Sequence, residues 1–137
     1  MTNFAELRVA DLMTIDPIAI ADHASIEDAE SLLASYRISG LPVVDRAGRL
    51  VGVISKTDLI GDGSVALEAL LRGNRTGLKV GELMTAPAIT VRLDTTLVEA
   101  ARIMRDSHIH RLVAVDERER PIGVLSASDY VTLVAEE

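Results

Sequence analysis

Gly52-Val-Ile-Ser-Lys-Thr-Asp58 and Gly123-Val-Leu-Ser-Ala-Ser-Asp129 are two versions of one seven-residue segment, set 71 positions apart. Each ends an apolar run with a glycine, follows it with a serine, and places an aspartate three residues later. Working outward at the same offset, residues 9–60 lie over residues 80–131 without a gap, and 15 of the 52 pairs are identical. Average composition would give roughly three or four. The identities include Val9/Val80, Leu12/Leu83, Met13/Met84, Thr14/Thr85, Ile18/Ile89, Val44/Val115 and Asp45/Asp116. The period is too long for a solenoid and two copies make no array, so the repeat predicts a pseudo-symmetric pair burying a shared face. The expected division is a first unit over residues 1–62, a linker over 63–79 with a short helix around Val65–Leu71, and a second unit over 80–137.

Within each copy the same order of elements is legible. Val9–Met13 and Val80–Met84 read as short apolar turns leading to Pro17 and Pro87, and brief strands follow at Ile18–Ile20 and Ala88–Val91. Ser25-Ile-Glu-Asp28 and Thr96-Leu-Val-Glu99 have the spacing of a capping box, in which a hydroxyl accepts a helix N–H while the acid reaches back. Apolar residues at helical spacing follow: Ile26, Ala29, Leu32 and Leu33, then Leu97, Ala100, Ile103 and Met104. Strands are expected at Leu41–Val44 and Leu50–Ile54, around a polar turn at Asp45–Gly48, and again at Leu112–Val115 and Ile122–Leu125. Pro42 forfeits a ladder donor and predicts an edge or a bulge. A last helix starts near Thr57 or Ser128. Each unit is therefore βαββα and the class is α/β (α+β).

Composition narrows what such a pair can do. The chain has 137 residues, a formal net charge of −7, no Trp, one Phe and two Tyr. It has few aromatic platforms for stacking bases and no basic surplus for a phosphate backbone, so no nucleic-acid partner is expected. Without cysteine there is no disulfide, thiolate metal site or cysteine nucleophile. The apolar runs are too short for a membrane helix, and no basic-then-apolar leader opens the chain, which predicts a cytoplasmic protein with no membrane partner. Gly-x-Ser-x-Gly, a P-loop and GxGxxG after a strand are all missing, and no nucleophile, base and oxyanion donors are seen together, so no catalytic residue is expected. His23, His108 and His110 lack ligand spacing apart from the His-x-His pair, which makes a poor metal site. Met13, Met84 and Met104 read as core filler.

The Gly-Val-x-Ser-x-x-Asp segments carry what chemistry there is. One reading is helix capping by Ser and Asp, with the Gly marking close packing. The other is a nucleotide site, in which free helix N–H groups and the serine hydroxyl receive a phosphate while the aspartate accepts from a ribose diol. Ser55 and Asp58 recur as Ser126 and Asp129 while their neighbours Lys56/Ala127 and Leu59/Tyr130 differ. Common descent from one duplicated gene would also leave that pattern.

Taken together, Val-x-Asp/Glu-Leu-Met-Thr at each start, Ile38-Ser-Gly-Leu-Pro-Val-Val-Asp45 against Ile109-His-Arg-Leu-Val-Ala-Val-Asp116, and the two terminal segments resemble a tandem pair of cystathionine-β-synthase (CBS) domains, a Bateman module. The resemblance runs from Val9 to about Leu133. It implies units packed through their sheets, two clefts related by a pseudo-twofold axis, and association into a disk-like homodimer acting on an effector protein. It also implies an adenosyl ligand such as AMP, ADP, ATP or S-adenosylmethionine, with no cofactor required. On that resemblance Asp58 and Asp129 would hold ribose hydroxyls, and Ser55 and Ser126 would sit by phosphates. Val53, Val124, Ile18 and Ile89 would flank the adenine, and Ala19 and Thr90 would offer backbone to its edge. His110-Arg111 matches the phosphate-gripping pair of members that bind phosphorylated ligands.

The first copy has Ser39-Gly40 at the place of His110-Arg111, leaving Lys56, Arg37 and helix-start amides as phosphate donors there. A guanidinium offers a fork of donors suited to phosphate, so the sites are expected to be unequal: one strong, the other weak, empty or filled by a neutral ligand. Because the resemblance sets the clefts face to face, His110 and Arg111 can serve a ribose held on either aspartate. The competing expectations are a structural dimerisation module with vestigial clefts, and a sensor of S-adenosylmethionine or another nucleotide.

Overall fold

A computed structural model describes residues 3–60 and 77–136. The expected helix at Val65–Leu71 lies outside them. The chain forms two compact units, one from Met1–Pro17 with Ile89–Glu137, the other from Ile18–Ala88. These units are not the sequence repeats. Each repeat lends its opening segment to the unit that holds the rest of the other repeat.

The Ile18–Ala88 unit contains β2 (Ile20–Ala21), α2 (Ile26–Tyr36), β3 (Gly40–Val44), β4 (Leu50–Ser55), α3 (Lys56–Ile60) and α4 (Val80–Leu83). Its sheet runs β2-β3-β4, parallel then antiparallel, and Thr85 bridges Val53 on the outer side of β4. The other unit contains α1 (Val9–Leu12), β1 (Thr14–Ile15), β5 (Thr90–Val91), α5 (Leu97–Ser107), β6 (Arg111–Val115), β7 (Pro121–Ser126) and α6 (Ala127–Ala135). Its sheet runs β1-β7-β6-β5, with Thr14 opposite Val124 as Thr85 is opposite Val53. The fold is mixed α/β, as expected. The sequence pattern does not reveal β1, because two exposed residues carry no alternation to read.

Two aliphatic cores result. Ile26, Leu33, Leu41, Ile54 and Val80 are fully enclosed in one, and Val9, Leu97, Leu112 and Leu125 in the other. At about 25 cal/mol per Å² of apolar surface removed from water, each such side chain contributes about 1.5–3 kcal/mol. Val9 and Val80 anchor the exchanged segments. Their N–H groups donate to the Thr95 and Ala24 carbonyls at 2.8 and 2.9 Å, in the loops before α5 and α2.

The helix starts match expectation in part. Ser25 Oγ accepts from the Asp28 N–H at 3.1 Å and Thr96 Oγ1 from the Glu99 N–H at 3.0 Å. The short helices use the complementary half: Asp11 and Glu82 accept from the Arg8 and Lys79 N–H groups, with no hydroxyl needed. Both long helices end on a left-handed residue, Arg37 and His108. Of the two alternatives expected for Pro42 the bulge is found, as a register shift between Val43 and Val44, and the edge is not, since β3 is the central strand. The proline is tolerated because β2 begins at Ile20, whose partner is Val43, and the register shift falls immediately after.

Candidate functional site

In β6 and β7 alternate residues Leu112, Ala114 and Leu125 enter the core, which turns Arg111, Val113, Val124 and Ser126 to the opposite face of the sheet. The register pairs Thr90 with Val113, Val113 with Val124 and Val124 with Thr14, so one row crosses four strands. One step along, Arg111 stands opposite Ser126, and the His110 carbonyl accepts the Ala127 N–H at 2.8 Å. Arg111 and Ser126 therefore share one face at the junction of β7 and α6, with Val124 one pair along and Asp129 in the first turn of that helix. Thr90, by contrast, lies two strands from β7, on β5, opposite Val113. Ile89, immediately before β5, is exposed.

His110 also lines an open pocket of about 470 Å³ with Met104, Arg105, His108, Ile109 and Ala127. His108 thus borders a cavity, although its αL position at the helix end gives it a structural reason to be there. Arg111 is half-buried, and that burial holds its guanidinium below its ordinary pKa. At neutral pH it remains a cation.

The Ile18–Ala88 unit repeats this layout with different chemistry. Gly40 stands opposite Ser55, and the Ser39 carbonyl accepts the Lys56 N–H at 3.0 Å, so Ser39-Gly40 occupies the place of His110-Arg111 and brings no cation. Lys56 is exposed at the start of α3, and Arg37 is exposed at the end of α2. Ala19 is exposed ahead of β2, whereas Ile18 is half-buried and packs on the core. In the second copy the Val113 N–H donates to the Ile89 carbonyl at 3.5 Å. Pro42 stands at the equivalent position and has no N–H to give Ile18.

The two aspartates differ most. Asp58 Oδ2 accepts from both the Ser55 N–H (2.9 Å) and the Ser55 hydroxyl (3.0 Å), and its other oxygen, Oδ1, accepts from the Thr85 hydroxyl at 3.1 Å. Asp129 Oδ2 accepts from the Ser126 N–H at 2.8 Å, while Ser126 Oγ exchanges a hydrogen bond with Ser128 Oγ. Among the described residues Asp129 Oδ1 has no hydrogen-bond partner. The capping reading of Ser-x-x-Asp therefore holds in both copies, yet it consumes one oxygen of Asp129 and leaves the other open.

Close packing explains the glycines. A Cβ on Gly52 would lie 2.7 Å from Met84 Sδ and 2.8 Å from the Thr85 carbonyl, and one on Gly123 would overlap Met13 Sδ. The Met-Thr pairs that open each repeat are thus seated on the Gly-Val-x-Ser-x-x-Asp segment of the other repeat. The contact of Thr85 with Asp58 is not legible in the sequence. The Thr14/Thr85 identity was the available signal, but its contact is non-local. Among the described residues no three His, Cys, Asp or Glu side chains gather as a metal site, and no helix is long and apolar enough to cross a membrane.

Comparison with known proteins agrees with this layout. A family model described as CBS domain matches residues 9–62 and 80–136. Inosine-5'-monophosphate dehydrogenase of Mycobacterium tuberculosis is 32% identical over 120 residues, which are 87% of this chain and 21% of the enzyme. The chain thus spans about a fifth of that relative's length. Among solved structures, CBSX2 of Arabidopsis thaliana in complex with AMP has a TM-score of 0.81 at 33% identity, covering 95% of this chain and 97% of that one. The CBS domain pair of protein MJ0100, in complex with 5'-methylthioadenosine and S-adenosyl-L-methionine, has a TM-score of 0.78 at 29% identity, covering 94% and 96%. Two matched segments, each with its terminal heptapeptide at the same strand–helix junction, settle the relationship: the chain belongs to the CBS-domain family, as a tandem pair.

Proposed function

We propose that the chain is a non-catalytic regulatory module that binds an adenine nucleotide, with Asp129 as its principal ribose anchor. The observation that carries this reading is Oδ1 of Asp129, which has no hydrogen-bond partner among the described residues and belongs to the carboxylate beside the Arg111–Ser126 pair. A carboxylate oxygen without a partner accepts from a sugar hydroxyl at no internal cost, and a charge-assisted bond of this kind is worth about 1.5–3 kcal/mol. Arg111 favours a phosphate-bearing ligand over the sulfonium of S-adenosylmethionine, because like charges repel, and the His110 ring adds a further hydrogen-bonding group beside it in the chain. AMP, ADP or ATP fits these groups, and the AMP complex of CBSX2 supports the class of ligand. A ligand of this kind regulates only by preferring one conformation over another, which an effector protein then reads.

Association as a homodimer belongs to the same reading. On α6, Tyr130 and Leu133 pack on the core, yet Val131 and Val134, three residues apart, are each 69% exposed. A helix apolar on two faces suits one that is covered on both. A cytoplasmic location is part of the same proposal, supported by the acidic, cysteine-free composition.

A thermal-shift panel of AMP, ADP, ATP, NAD, GTP and S-adenosylmethionine tests the reading. A ligand that binds only the folded state at a hundred times its Kd adds about 2.7 kcal/mol and raises Tm by several degrees. An adenine nucleotide is expected to give the largest shift. No shift with any of the six would replace the sensor with a structural dimerisation module. Arg111→Ala is expected to weaken ATP most and adenosine least, and a uniform loss would deny Arg111 its phosphate role.

A further inference from the structure

Asp58 and Asp129 occupy the same place in their repeats, as do the threonines that face them, Thr85 and Thr14. Only one of the two pairs is closed. Thr85 Oγ1 donates to Asp58 Oδ1 at 3.1 Å, and the other oxygen of Asp58 is already held by Ser55. Asp129 Oδ1 receives nothing from Thr14 or from any other described residue. We infer that Thr85 is a specificity-determining residue, an internal stand-in for a ribose hydroxyl that keeps the first nucleotide site weak. This rests on the adenine-nucleotide reading above and extends it.

The chemistry is a direct competition. A threonine hydroxyl and a sugar hydroxyl are the same donor, and a carboxylate oxygen with one donor in place accepts a second less well. The threonine is held on the spot by the paired Thr85 and Val53 backbones, at 2.9 and 3.0 Å, and by the preceding Met84, which is seated on Gly52. A ligand must therefore displace a pre-placed donor at Asp58, and among the described residues there is none to displace from Oδ1 of Asp129. The absence of a cation at Ser39-Gly40 weakens phosphate binding in the same unit. Thr85 acts separately, on the sugar.

The test uses the full chain carrying Asp129→Ala, which leaves the first site as the measurable one, titrated calorimetrically with AMP and with 2',3'-dideoxy-AMP. Adding Thr85→Val is expected to tighten AMP about three- to tenfold, the share of one charge-assisted hydrogen bond that partial exposure leaves. It should not tighten the dideoxy nucleotide, which has no hydroxyl to offer. Adding Thr85→Ser instead keeps the donor and should leave affinity at the parent value. Should the valine chain fold poorly by circular dichroism, the serine and alanine variants carry the comparison, alanine tightening AMP and serine not. Unchanged AMP affinity on removal of the hydroxyl, or an equal gain for the dideoxy nucleotide, would overturn the inference while leaving the Asp129 reading intact. A chain with native Asp129 that binds no adenine nucleotide would overturn both.

Discussion

Tyr130 follows Asp129 directly and replaces the Leu59 of the first copy. Its hydroxyl donates to the Leu97 carbonyl at 2.6 Å, and its ring lies 6.1 Å from that of Phe4. Burial, with the Asp129 charge adding to it, pushes the phenol up from 10.0 to about 12. The unfolded chain therefore gives up this proton first as pH rises. The stabilisation is complete below pH 10 and is lost as pH climbs toward about 12. Melting temperatures from pH 9 upward should fall more steeply for the native chain than for Tyr130→Phe, and parallel curves would refute the assignment. Asp45 and Asp116 act in the opposite sense at the acid end. Hydrogen bonds from the Arg49 and Arg120 backbone N–H groups, opposed in part by desolvation, hold these turn carboxylates below 3.8. Their contribution is present above that value and is lost as pH falls below it.

At the scale of elements, the strand–helix junction does two jobs with one segment. It starts α3 and α6, and it receives the Met-Thr pair of the other repeat on its glycine. Gly52→Ala would drive a methyl to 2.8 Å from the Thr85 carbonyl, a backbone atom that cannot swing away. The expected cost is about 1–3 kcal/mol of overpacking, read from chemical denaturation. A neutral result would mean that the Met84 segment is loosely seated. The helices, the hairpin turns and the long strands were legible because their signals are local: Ser25 and Thr96 as caps, Asp45 and Asp116 as turn acceptors, alternation through β4 and β7. The contacts of Met13 and Thr85 were not legible. A duplicated sequence offers each methionine two equivalent glycines, and local pattern cannot say whether the near or the distant one is used. Pro42 was legible in part: the bulge beside it is found, and in place of an edge it sits in a central strand whose two-residue partner reaches only Val43 and Val44.

At the scale of the molecule, pairing two copies of one unit supplies two candidate sites, and small differences make them unlike. Arg111 and His110 against Gly40 and Ser39 were visible in the sequence. The closure of Asp58 by Thr85 was not, because both copies carry the same residues and only their geometry differs. If α6 carries a dimer interface, Val131→Asp with Val134→Asp should convert the protein to a single chain by light scattering without lowering its helix content. An unchanged mass would move the interface elsewhere.

The central claim, that an adenine nucleotide rests on Asp129, is tested most directly by calorimetric titration of AMP into the native chain, Asp129→Ala and Asp58→Ala at a temperature where all three are folded. The expected result is binding to the native chain, a loss of about tenfold or more for Asp129→Ala, and little change at the principal site for Asp58→Ala. Equal losses for the two variants, or no AMP binding by the native chain, would contradict the account.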